Sequence, residues 1–199
     1  MAQSIQTSTQ YGELKIFNPT AIYATPFDGE NGARGTTTYK LSEVIRDSTS
    51  ITQDDPEETS IDNEFSAAPI INNVNLGSYQ FSAQVANMHQ TLVEKLCGFV
   101  KGTSKADRIY APSTYVPVFA EIVLTFQVDA NKVVAAVLPK VQLNSKTIFE
   151  SLSSSMGTIT LAGSGQNIDT GDIDASNNPI VSPFYIDTNW TTADLTVEA

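Results

Sequence analysis

His89 and Cys97 are the single histidine and the single cysteine of this 199-residue chain, and they bound the nucleophilic and metal chemistry it can carry. A Ser-His-Asp triad would rest wholly on His89, which stands beside Gln90 in the first turn of an expected helix, where a lone histidine is ordinarily a surface residue. Cys97 lies between Leu96 and Gly98 on the apolar side of that helix's end, with no basic cluster to lower its pKa, so it reads as buried and inert. One cysteine also excludes an internal disulfide and a cysteine zinc cluster.

The carboxylates offer little more. Asp172-Ile173-Asp174-Ala175-Ser176 copies the opening ligand spacing of a calcium loop, with Asp169 as a further carboxylate. The copy fails downstream, where Asn177 occupies the turn position that wants Gly and Pro183 falls where the bidentate Glu belongs. A turn-rich loop is the reading, and cation binding between Asp169 and Asn177 stays open. Asp54-Asp55 and Glu57-Glu58 are adjacent pairs in an expected loop and cannot hold the fixed separation that glycoside chemistry needs. Gly163-Ser164-Gly165 lacks the further Gly, the Lys and the helix of a phosphate loop, so it is a turn. Asn189-Trp190-Thr191 fits a glycosylation acceptor, which matters only in a secreted protein. No catalytic, cofactor-binding or metal-binding residue is therefore expected, and no enzyme.

The elements that would position these residues are mostly strands. Residues 36–45 alternate with period two, and Tyr79, Phe81, Ala83 and Val85 alternate with Gln80, Ser82 and Gln84. Helical spacing follows: Asn87 with Gln90 resembles a capping box, Met88, Leu92 and Leu96 recur every fourth residue, and Gly98 sits at the C′ position. The strongest pattern covers residues 115–143. Val118, Ala120, Ile122, Leu124, Phe126 and Val128 line one face, Asp129-Ala130-Asn131-Lys132 turns, and Val133, Ala135, Val137, Val141 and Leu143 resume it. Each arm of this long antiparallel hairpin reaches about 40 Å at roughly 3.3 Å per residue. Its other face carries Phe119, Val123, Val134, Ala136 and Leu138, so both faces need cover, and a neighbouring subunit is the expected second one. A helical turn is expected in 146–156 and a strand in 157–162.

Residues 1–35 read as an N-terminal arm or strand and a Gly-rich loop around Asp28-Gly29-Glu30-Asn31-Gly32, 46–70 as a long acidic loop, and 163–199 as an extended C-terminal arm with a possible strand at Pro183-Phe184-Tyr185-Ile186. The expected fold is one mainly β domain over 1–199, with antiparallel strands, one helix, a long loop and terminal arms, and its long hairpin suits a barrel or a large assembled sheet.

Composition sets the partners. No apolar run approaches the roughly 18 residues of a membrane span, and no secretory signal is visible at the start, so the expectation is either a mature chain or a protein that stays in the cell producing it. The formal charge of −11 argues against a surface that grips DNA.

The run Leu41-Ser42-Glu43-Val44-Ile45-Arg46-Asp47-Ser48-Thr49-Ser50-Ile51-Thr52-Gln53-Asp54-Asp55-Pro56-Glu57-Glu58, followed by Ile61-Asp62-Asn63-Glu64, resembles a stretch found in tail proteins of phages infecting Bacteroidetes. Tyr79-Gln80-Phe81 through Ala86-Asn87 and a helix ending Leu96-Cys97-Gly98-Phe99 resemble the strand-then-helix core of the phage tail tube family. The resemblance covers residues 36–100, and the hairpin after it agrees in type. It implies a β-sandwich or barrel of antiparallel strands with one flanking helix, in a virion protein, assembled in the host cytoplasm, whose homo-oligomeric rings stack through a long loop and the terminal arms into a conduit for DNA ejection. Tape-measure, terminator and baseplate-type proteins would be its other partners.

Under that resemblance Asp47, Ile51, Asp54, Asp55, Glu57, Glu58, Ile61 and Glu64 are expected to contact the next ring, and the five second-face residues of the hairpin to contact a neighbour within the ring. About six copies at a formal −11 each give a ring of roughly −66, which would oppose adhesion of DNA phosphates as double-stranded DNA passes. Competing readings are another virion subunit, such as a tail terminator or head decoration protein, and a cell-surface adhesin or carbohydrate-binding module, against which Trp190 as sole tryptophan counts.

Overall fold

The computed structural model describes residues 19–63, 66–86, 89–105, 107–129, 132–144, 158–191 and 197–198. In chain order its elements are β1 (Ala21–Pro26), β2 (Thr38–Leu41), β3 (Ser50–Gln53), β4 (Glu57–Asn63), β5 (Ser66–Asn75), β6 (Tyr79–Val85), α1 (Gln90–Cys97), β7 (Val100–Lys101), β8 (Ile109–Tyr110), β9 (Val118–Asp129), β10 (Lys132–Leu143), β11 (Ile159–Gly165), β12 (Ile168–Ile173), β13 (Pro179–Ser182), β14 (Tyr185–Asp187) and β15 (Val197–Glu198). The fold is mainly β and sandwich-like, with antiparallel sheets and α1 as the one helix among the described residues. The main sheet runs β15-β2-β1-β9-β10-β11-β6-β3, and β14 also pairs with β10. Among the described residues only the β15–β2 pairing is parallel. No helix among the described residues is long and apolar enough to cross a membrane.

The β9–β10 hairpin is the spine of this sheet, and its register corrects the expected division of faces. Lys132 pairs with Asp129, but Val133 pairs with Gln127, so Val128 is an extra residue. Leu138 then pairs with Ile122 and Val141 with Ala120, so Pro139 and Lys140 together oppose Glu121 alone. Each bulge shifts the side-chain alternation by one residue, because the period of a strand is two. Ala136 and Leu138 therefore join Ile122, Leu124 and Phe126 in the main core, and Val134, opposite Phe126, is buried on the same side. Ala135 and Val137 instead join Val123 and Tyr23 on the second face. Pro139 tolerates its place because β10 pairs with β14 at 135–137 and with β11 at 141–143, leaving no ladder bond for its missing N–H to make.

The main core gathers Phe81, Ala83 and Val85 from β6, Leu161 from β11, Ile22 and Leu41 from the β1–β2 end, and Leu92, Val93 and Leu96 from α1. Each large buried side chain contributes about 1.5–3 kcal/mol. Both ends of one sheet reach a common core because the chain bends after β2. Glu43 adopts φ +56°, Val44 bridges to Val85, and the Ile45 amide donates to the Gln84 carbonyl at 2.8 Å. The chain then follows β6 as β3. A strand that turns a corner in this way folds the sheet over itself as a sandwich, and the strands do not close into a barrel.

The helix begins at Gln90, and His89 is its N-cap, accepting from the Thr91 amide at 3.3 Å. Asn87, the expected cap, and Met88 lie outside the described residues. Gly98 caps the other end in the left-handed conformation, as expected.

The expected long loop is largely strand, and the two expected arms carry more strands than the sequence suggested. Residues 46–70 supply β3 and most of a β4–β5 ribbon, a two-stranded ladder separate from the main sheet. Backbone pairing in such a ladder satisfies its hydrogen bonds whatever the side chains, so a strand can form there although the sequence shows no core pattern. Within the expected arm of 1–35, β1 is an inner strand between β2 and β9, and the Gly-rich turn follows it. The expected arm of 163–199 carries the end of β11, the β12–β13 hairpin, β14 and β15. The expected strand at 157–162 is β11, while the helical turn expected in 146–156 lies outside the described residues.

Candidate assembly surfaces

The ribbon leaves the body where β3 ends and β6 begins, and a small polar knot holds that exit. The Asp54 amide donates to the Ser78 carbonyl at 2.9 Å, and the Asp54 carboxylate accepts from Ser78 Oγ at 2.7 Å and Gln80 Nε2 at 2.8 Å. The Gln80 and Ser78 bonds hold the Asp54 carboxyl below the usual range, since both favour its charged form. Gly77 completes the knot: a Cβ there would lie 1.8 Å from the Asp54 carbonyl oxygen. Beyond it stand exposed Asp55 and Glu57, and Leu76 is 80% exposed. A ribbon of β5's ten residues reaches about 33 Å at 3.3 Å per residue.

The expected loop contacts are thus divided. Asp54, Asp55, Glu57 and Glu58 gather at the ribbon base, and Ile61 lies opposite Ile71 in its ladder. Asp47 stays on the body, in a turn with φ +62°. Ile51 does not point outward to a partner: it packs on the core from β3, opposite Phe81. Glu64 lies outside the described residues.

The expected neighbour-facing set is corrected more fully. Phe119, Val123, Val134, Ala136 and Leu138 are all buried within this chain. Val134, Ala136 and Leu138 belong to the main core side because of the bulge. Val123 is covered by the chain's own C-terminal segment: Trp190 packs on the Tyr23, Val123, Ala135 and Val137 cluster, and its amide donates to the Val133 carbonyl at 3.1 Å. Phe119 lies beneath Lys140, whose ammonium stands 5.0 Å from its ring centroid and 5.7 Å from that of Phe27. Close by, Arg34 pairs with Glu121, tying the loop after β1 to β9. Burial raises the Glu121 carboxyl pKa against the pull of Arg34, and burial also raises Tyr185.

A surface that sequence reasoning missed lies beside the C-terminal end of α1. β7 and β8 form a two-residue ladder, Val100 opposite Tyr110, that leaves both side chains largely in solvent, as are Tyr115 and Val116. Beside them a groove of about 280 Å³ runs between Leu96, Cys97 and Phe99 and the segment before β9. Lys95, Lys101, Lys105 and Arg108 are exposed around this apolar pole, four of the chain's eleven basic residues. Their clustering was visible in the sequence, but nothing there showed that the surrounding apolar residues would stay uncovered. Cys97, half-buried, lines the groove.

The remaining sequence candidates gather no chemistry. Asp174 spends its carboxylate on its own turn, accepting from the Ser176 amide at 2.8 Å and the Asn178 amide at 2.9 Å, and the Asn178 contacts lower its pKa. Asn177 takes the left-handed conformation at φ +65°. Among the described residues no group of three or more His, Cys, Asp or Glu side chains could hold a metal ion. The chain matches no model of a known protein family and no curated protein.

Proposed function

We propose that this chain is a non-catalytic structural subunit of a phage virion that polymerises as stacked rings into a tail tube through which DNA is ejected. The observation that carries the reading is the β4–β5 ribbon. It is a long two-stranded ladder separate from the main sheet, held at its root by Asp54, Ser78 and Gly77, and an isolated two-stranded ladder is marginally stable at best unless something packs on it. The resemblance of residues 36–100 to tail tube proteins supports it, and so does the formal charge of −11, which suits a passage that DNA must not adhere to. The partners under this reading are further copies of the chain, then the tape-measure, terminator and baseplate-type proteins at the ends of the tube.

The test is negative-stain electron microscopy of concentrated protein beside its sedimentation profile, for the wild type and for a variant in which residues 57–75 are replaced by a short Gly-Ser turn. Gln53 and Tyr79 are already cross-strand partners, so the replacement closes without strain. Hollow tubes or stacked rings from the wild type, with a folded monomer from the variant, are expected. Long tubes from the variant would remove the ribbon from the assembly, and closed single rings from the wild type would favour a tail terminator.

A further inference from the structure

We infer that Asn31-Gly32 is a site of self-modification: the Gly32 amide nitrogen attacks the Asn31 carboxamide, ammonia leaves, and the isoaspartyl product frees the loop that Lys140 and Arg34 hold against the sheet. The chemistry needs only the free subunit, whatever that subunit joins.

Asn31 is the one asparagine of the chain that precedes a glycine. An asparagine side chain lies close to the backbone amide that follows it, and a glycine there has no Cβ to keep the carboxamide away. The fold leaves both reactants unengaged. Asn31 is exposed in the turn after β1, and among the described residues no hydrogen bond occupies its side chain or the Gly32 amide. Every other asparagine precedes a residue with a side chain, and several are blocked further. Asn178 precedes Pro179, which has no N–H to give up. The Asn178 amide that Asn177 would need donates to Asp174 Oδ1 at 2.9 Å, and the Trp190 amide that Asn189 would need donates to the Val133 carbonyl at 3.1 Å. The Asn144 carboxamide oxygen accepts from Tyr115 Oη at 2.6 Å.

Water is the only co-reactant. The Gly32 nitrogen gives up its proton to base and bonds to Asn31 Cγ, the bond from Cγ to the carboxamide nitrogen breaks, and ammonia leaves behind a cyclic imide. Water then adds to one of the two imide carbonyls. Opening at Cγ gives aspartate in an unchanged main chain. Opening at the main-chain carbonyl routes the chain through Cβ and Cγ, which gives isoaspartate, a main chain longer by a methylene and a free carboxylate.

The loop cannot absorb that length. The Asp28 amide donates to the Ala33 carbonyl at 3.2 Å, the Gly35 amide donates to the Pro26 carbonyl at 2.8 Å, and Phe27 bridges to Arg34. Gly32 closes the turn so tightly that even a Cβ would lie 1.9 Å from the Asp28 carbonyl oxygen. Lys140 donates to the Glu30 carbonyl, immediately before Asn31, and Arg34 pairs with Glu121. A methylene inserted between residues 31 and 32 breaks the register that places both of these anchors.

The test follows the purified full chain over days in neutral and mildly alkaline buffer, beside Asn31→Ala and Asn31→Asp, both at an exposed turn position. Peptide mapping by mass spectrometry reads the exchange of NH2 for OH at each asparagine, and labelling by an isoaspartyl-specific methyltransferase reads the isoaspartyl fraction. Conversion at Asn31 is expected to be at least about tenfold faster than at any other asparagine and to rise with pH, since the attacking nitrogen must lose its proton. It should run within about tenfold of its rate in concentrated urea, where the turn imposes no geometry. Trypsin cleavage after Arg34 of the native protein should accelerate several-fold as isoaspartate accumulates, and should not in Asn31→Ala aged alongside. Asn31→Asp, which adds the charge without the methylene, should be cleaved like fresh wild type. Conversion at Asn31 no faster than elsewhere, or slower than in urea by more than about tenfold, overturns the site. Conversion that leaves cleavage after Arg34 unchanged overturns the release of the loop.

Discussion

Trp190 lies against Tyr23, ring centroids 5.5 Å apart and planes tilted by 36°, which joins the last part of the described chain to its first strand. This contact closes the second face of the β9–β10 hairpin. Trp190→Ala should lower unfolding free energy by about 2–3 kcal/mol, less than a fully buried Trp because the ring is half exposed. Urea titration checks the loss, and increased binding of a hydrophobic dye to the folded state would locate it on the uncovered face.

Gly77→Ala separates the body from its ribbon. The new Cβ would need the space of the Asp54 carbonyl, 1.8 Å away, so the knot of Asp54, Ser78 and Gln80 must open. The main core, which contains none of these residues, should hold the melting temperature within a few degrees, while assembly falls sharply. Limited proteolysis should then cut first near the ribbon root, and unchanged cleavage with unchanged assembly would count against the knot's role.

Glu121 gives a pH dependence whose sign is fixed by its burial. A carboxyl with a raised native pKa holds its proton more tightly when folded, so its contribution to stability is present in full below the ordinary glutamate range and lost as pH rises through the raised value. Glu121→Gln removes that dependence while leaving an oxygen to accept from Arg34. Relative to wild type the variant should gain stability as pH rises from the ordinary glutamate range to neutral in urea melts. A difference that stays flat with pH would show that Arg34 fully offsets the burial.

His89 is a weak cap, with a 3.3 Å bond to the Thr91 amide and no acidic residue in the first turn of α1. His89→Asp should stabilise by about 0.5–1 kcal/mol, since a short carboxylate both accepts from the first-turn amides and suits the positive end of the helix. A calorimetric melting temperature raised by about 1–4 °C is the expected reading.

Where the pattern was strong and local, the fold was legible in the sequence. Strand β6, the end of α1 at Gly98 and the long hairpin all lie where alternation, helical spacing and a C′ glycine put them. The faces of β10 were not, because Val128 and Pro139-Lys140 are bulges, and a bulge leaves composition untouched while exchanging the inner and outer sets between them. The ribbon was missed for a different reason: Glu57-Glu58-Thr59-Ser60, laddered against Asn75, Val74, Asn73 and Asn72, carries no apolar period to read. The cover of the second face was missed because Trp190 stands more than fifty residues after Val137, and no local pattern spans that separation.

That separation also sets an order of events during synthesis. At about 5–20 residues per second, the segment between Val137 and Trp190 takes roughly 3–10 s to emerge, and through that interval Val123, Ala135 and Val137 wait uncovered while the ribbon has long since left the ribosome. A nascent chain thus displays its ribbon before its own body is sealed. Protection of the half-made sheet, whether by a chaperone or by dilute translation, becomes a condition of clean folding, and the arrival of Trp190 marks the point at which that face is closed.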